Sequence, residues 1–194
     1  MNDFFLWFTT GFRHILNWSA YDHICYIVLL SLVFTTKEWK KLLLLITAFT
    51  IGHSLTLALC TSNSIHPPQK TIELLIPITI LITCLVTIAK RNSRTKMLAG
   101  NYFLALFFGF IHGMGFSYLL KSMLGKEQSL ILPLFSFNLG IEFGQLIIVA
   151  MVLIISVFLE NVVKIKRANY ILFVSSMIFI IASILLIERI YDKN

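Results

Sequence analysis

Long apolar runs separated by short polar stretches organise this chain from one end to the other. A helix takes about 20 apolar residues to cross the hydrocarbon core of a bilayer. Runs at about 20–36, 41–60, 71–90, 97–120, 129–158 and 168–189 meet or approach that length and predict six membrane crossings. The connectors TKEWKK, TSNSIHPPQK, KRNSRTK, KSMLGKEQ and ENVVKIKR leave no room for a soluble domain. Residues 1–18, MNDFFLWFTTGFRHILNW, are rich in aromatics but lack the positive start and small-residue cleavage site of a signal peptide. They read as a retained interfacial or re-entrant helix. The fifth run is long enough to tilt. His66-Pro67-Pro68 marks an extended connector, and Pro77 and Pro133 are expected to bend their helices. The fold class is therefore all-α: a polytopic transmembrane helical bundle, one integral membrane domain over residues 1–194.

Composition strengthens this reading. Hydrophobic residues make up 58% of the chain and charged residues only 13%, too few charges to cover a soluble domain of this size. The net charge of +7 does not point to nucleic acid, because Lys and Arg sit in short runs between the apolar segments. Ten of the sixteen lie in the connectors after crossings one, three and five, and the other six lie on the opposite side. By the positive-inside rule, both termini then stand outside the cytoplasm in a plasma (inner) membrane. Cys25, Cys60 and Cys84 are isolated and suggest no disulfide framework.

The chemistry lies in the polar residues kept within these runs, since an ionisable group in the bilayer is costly. There are four such clusters. His14 precedes Asp22-His23, an oxygen and a nitrogen donor side by side; alternatively, Asp22 caps a helix and His23 sits at the interface. His53, in Gly52-His53-Ser54-Leu55-Thr56, lies roughly 18 Å along its helix from Lys41. It is a ligand candidate or a structural histidine, and Ser54 and Thr56 can bond back to helix carbonyls. His112 follows Gly109 and precedes Gly113, a small-xxx-small spacing that admits a partner helix. Asn138, Glu142 and Gln145 share one helical face. A carboxylate in mid-membrane must be protonated, paired or metal-bound. The topology places His53, His112 and Glu142 at comparable depth, with Asp22 and His23 at the outer mouth. Three or more such donors suit a divalent first-row metal, and the lack of clustered Cys and Met argues against copper(I).

These motifs, G-F-R-H-I…Y-D-H, G-H-S-L-T-L, F-G-F-I-H-G-M-G-F and F-N-L-G-I-E-F-G-Q, together resemble the HupE/UreJ family of small bacterial membrane proteins. The match runs from Gly11 to about Gln145. The stretch Asn17–Tyr21 departs from the family pattern, in which a glycine precedes the Asp-His pair. The resemblance implies a nickel permease or metal-uptake protein linked to hydrogenase and urease maturation. It implies a metal role for His14, Asp22 and His23, and a share for His53, His112 and Glu142.

The leading expectation is a secondary transporter for a divalent metal, nickel first, with zinc as the other candidate for the bound ion. Ser54, Asn138 and Gln145 would support the site. The lipid bilayer and the metal are the partners, an outer-membrane or periplasmic delivery protein stays open, and no ATP-binding motif is present. An intramembrane zinc hydrolase is the alternative, weakened by the lack of HExxH and GxSxG. A membrane assembly or sensor protein is the third.

Overall fold

The computed structural model describes residues 3–17, 21–92, 99–124 and 129–191. Of the described residues 89% are helical, and none is in a strand. Its helices are α1 (Asp3–Leu16), α2 (Tyr21–Leu32), α3 (Trp39–Thr61), α4 (Gln69–Lys90), α5 (Ala99–Leu124), α6 (Ile131–Asn161) and α7 (Arg167–Tyr191). Five of them, α3 to α7, are long and apolar enough to cross a membrane. The connector residues 93–98 and 125–128 lie outside the described residues.

The six apolar runs fall on α2 to α7, and the first of them behaves differently from the rest. A crossing over 20–36 was expected, but α2 has 12 residues and rises only about 18 Å, short of the ~30 Å core. It is long enough to cross only together with α1, from which it bends by 72°, as a broken or re-entrant span. The sequence after α2 explains its early end. The Glu38 carboxylate accepts the Thr35 hydroxyl at 3.1 Å and the Thr35 N–H at 3.4 Å. That reciprocal cap starts a new turn at Thr36–Glu38, which leads into α3.

Between helices in lipid the hydrophobic effect gives little attraction, so association relies on close packing, which small residues permit. Two helix pairs in this bundle use glycine in this way. A Cβ at Gly52 would collide with the Leu106 carbonyl, one at Gly109 with Phe49, and one at Gly113 with His53, so α3 and α5 touch backbone to backbone. The α1–α6 pair repeats the device: a Cβ at Gly11 would meet the Phe137 carbonyl, and one at Gly140 the Phe8 carbonyl. The buried face of α1 is Trp7, Gly11 and Ile15, spaced by four. Of the two expectations for residues 1–18, the re-entrant one agrees with this packing, since α1 is docked into the bundle.

Large apolar side chains such as Phe103, Ile131, Ile154 and Phe173 are more than half exposed, as lipid-facing positions would be. Charged contacts gather at helix ends. Arg167 donates to the carbonyls of Leu32 and Phe34 and pairs with Glu160 at 3.6 Å, while Arg189 pairs with Glu73 at 3.5 Å. Helix α4 runs on through Pro77. Pro133 falls in the first turn of α6, where a missing N–H has no helical partner to lose.

Candidate metal site

Four histidines on four helices gather around one of their number. The His23 ring on α2 lies 5.2 Å from His14 on α1, 5.8 Å from His53 on α3 and 5.1 Å from His112 on α5, centroid to centroid. The glycines explain how α3 and α5 deliver their rings. His53 sits next to Gly52 and His112 next to Gly113, each at the α3–α5 backbone contact. His14 is carried in by α1, which the Gly11 and Gly140 contacts hold on α6. His23, His53 and His112 are buried, His53 and His112 completely, and His14 is half-buried.

The hydrogen bonds define the tautomers. A carboxylate and a carbonyl only accept, so a nitrogen bonded to either must be the donor in the neutral ring. His23 Nδ1 donates to Asp22 Oδ1 at 2.9 Å, and the same oxygen accepts the His23 backbone N–H at 2.8 Å. His112 Nδ1 donates to the Phe108 carbonyl at 2.8 Å. Each bond leaves Nε2 with its lone pair free. Nε2 of His14, His23 and His112 and both nitrogens of His53 are buried without a hydrogen-bond partner. Buried polar atoms are seldom left so, and five of them in one cluster call for an explanation.

Their spacing bears on what could supply it. With metal–nitrogen bonds of about 2.0–2.1 Å, two imidazoles on one zinc-sized ion put their centroids roughly 5 Å apart. The observed 5.1 to 5.8 Å is close to that. Among the described residues, however, no group of three His, Cys, Asp or Glu side chains stands ready to hold a metal as placed. Closing on an ion requires the rings to turn so that their free nitrogens meet.

The other candidate residues divide. Asp22, a quarter exposed, serves as the partner of His23 at the edge of the cluster. Asn138 lies beside His53; its Nδ2 donates to the Leu134 carbonyl at 2.8 Å, and its Oδ1 is unpartnered. Glu142 is tied to α3. Its Oε1 accepts the Thr47 hydroxyl at 2.9 Å, and Thr47 precedes His53 by six residues, about 9 Å along α3. Gln145 Oε1 accepts the Thr50 hydroxyl at 2.8 Å. Ser54 spends its hydroxyl on the Thr50 carbonyl at 2.7 Å, and Thr56 bonds across to the Phe110 carbonyl at 2.9 Å.

The aromatic residues around the cluster went unread in the sequence. Tyr26 stands three residues after His23, Phe49 four before His53 and Phe108 four before His112, so each shares a face with its histidine. Tyr26 packs on Phe49 at 4.9 Å and on Phe108 at 5.8 Å. Phe116 covers His14 at 3.8 Å and stacks on Phe137 at 5.1 Å. The repeated pairing of a histidine with an aromatic one turn away was the available signal.

A family model described as HupE / UreJ protein matches residues 1–189. The chain belongs to the HupE/UreJ family. Its members are generally associated with nickel and cobalt transport in membranes. The match extends past the Gly11–Gln145 stretch of the sequence motifs on both sides, to the start of α1 and through most of α7. No curated protein and no solved structure matches this HupE/UreJ chain significantly.

Proposed function

We propose that this HupE/UreJ protein is a permease for a divalent transition metal, with nickel the first candidate and zinc the second. The observation that carries the reading is the convergence of His14, His23, His53 and His112, whose free ring nitrogens lie buried without partners. Neutral imidazole is a ligand for nickel, zinc, copper and iron. A second partner on the far nitrogen fixes a ligand ring and raises its basicity, the part taken by the Asp22 carboxylate for His23 and the Phe108 carbonyl for His112. An ion entering past Asp22 would draw the rings together and be passed on as they relax. Glu142 stands to one side of this set, as a proton-exchanging group rather than a ligand. The zinc-hydrolase alternative needs Ser54 beside a metal-bound water, yet that hydroxyl is bonded to its own helix.

The positive-inside count supports a plasma-membrane protein with both termini outside, where a periplasmic or outer-membrane delivery partner could meet Asp22. The test is uptake of Ni²⁺, Co²⁺ and Zn²⁺ into cells expressing the chain, compared with His23→Ala and His112→Ala. Uptake that depends on expression and is lost in both variants is expected. Uptake of all three ions unchanged by expression would overturn the proposal.

A further inference from the structure

A cavity of about 930 Å³ opens at the end of the bundle where Lys37, Lys41, Lys90, Arg91 and Arg167 cluster. Its deeper wall is apolar, formed by Leu29, Leu45 and Ala105 among others, and it reaches Tyr26. Tyr26 is 1% exposed and lies 5.4 Å from His112, ring to ring. Among the described residues lining this cavity, it is the one aromatic ring in ring contact with a histidine of the cluster.

The neighbours of Tyr26 form a layer. Helices α3 and α5 both begin at the basic end, so Phe49 and Phe108 lie about 6 Å nearer that end than His53 and His112. Tyr26 closes the layer between them. Three packed rings exclude water from the space between the histidines and the cavity, and neither Phe49 nor Phe108 borders the cavity. The lining sets Glu38 and Glu160 beside five basic side chains, so its net positive charge disfavours retaining a divalent cation there.

We infer that this cavity is the inner vestibule of the ion route and that the Tyr26 ring is the barrier separating it from the histidine cluster. The inference rests on the permease reading for its ion. The barrier itself is a matter of water access and is tested without any metal. Movement of the Tyr26 side chain would open this layer, since its ring both borders the cavity and contacts His112.

The experiment is thiol accessibility in the full chain, reconstituted in vesicles of phosphatidylethanolamine and phosphatidylglycerol. A charged methanethiosulfonate reagent is presented to the basic end, and peptide mass mapping separates the introduced thiol from Cys25, Cys60 and Cys84. Thr87→Cys, in the cavity wall, should be labelled with Tyr26 intact. His112→Cys should be protected with Tyr26 intact, and its labelling should rise to the Thr87→Cys level when Tyr26→Ala is added. Tyr26→Phe should keep the protection, because the ring supplies the barrier. Leu29→Ala removes bulk from the same wall, six residues along α2 from His23, and should also keep it. Protection of Thr87→Cys, or labelling of His112→Cys that ignores residue 26, would overturn the inference. Labelling of His112→Cys opened equally by Leu29→Ala would do the same, by showing general loosening. Failure of wild-type vesicles to take up Ni²⁺, Co²⁺ or Zn²⁺ would sink the permease reading while leaving the labelling result intact.

Discussion

Replacing Asp22 with Asn alters one bond at the site and little else. Asp22 Oδ1 holds both the backbone N–H and Nδ1 of His23, at 2.8 and 2.9 Å. An asparagine oxygen can keep the backbone bond, so the start of α2 should survive. The ring loses its carboxylate partner. Either a weaker neutral acceptor replaces it, or the amide donates to Nδ1 and drives the ring proton onto Nε2, removing the free donor nitrogen. Removing such an outer partner typically costs 10- to 100-fold in metal affinity, or about 1.4 to 2.7 kcal/mol. Titration calorimetry of Ni²⁺ into detergent-purified protein reads this directly, with His23→Ala as the reference for loss of the ring itself. Affinity of the Asn variant equal to wild type would refute the orienting role. A loss as complete as that of His23→Ala would refute it in the other direction, by making Asp22 a ligand.

Glycine packing gives a paired stability prediction. Gly113→Ala places a methyl against the His53 backbone and should lower stability by about 1–3 kcal/mol, read as a lower thermal midpoint in detergent. Gly115→Ala meets only the flexible end of Ile76 and should cost clearly less; equal losses would count against the backbone contact. Glu142→Gln should leave Ni²⁺ affinity unchanged, since its carboxylate is turned to Thr47, and a fall matching His112→Ala would make it a ligand. Lys164→Cys, in the exposed turn after α6, should react with impermeant maleimide only from the cytoplasmic side. Reaction in intact cells would reverse the assigned orientation.

Apolar run length was enough to place α3 to α7, because a helix in lipid must satisfy its own backbone over a set distance. It overstated α2, since Val33 and Phe34 continue the apolar run while the Thr35–Glu38 cap has already turned the chain. The four histidines were legible as costly polar groups, and their convergence was not. Depth can be counted along a helix, but which faces meet depends on the glycine contacts between α3 and α5 and between α1 and α6. Depth counting gave no partner for Glu142, whose Oε1 accepts a hydroxyl from Thr47 on α3. Tyr26 carries no charge to attract notice, and its place is visible only once the cavity is.

The docking of α1 on α6 also dictates when the site can exist. Residues 3–16 must wait for residues 131–161 before their glycines find each other, a separation of well over half the chain. At translation rates of about 5–20 residues per second, α6 emerges on the order of ten seconds after α1. Through that interval His14 has no place to go, while the chain that will hold His23, His53 and His112 is already being laid down. The nascent protein therefore passes most of its synthesis with an incomplete donor set. On the proposed permease reading, the four histidines come together only once α6 is made and α1 is seated on it.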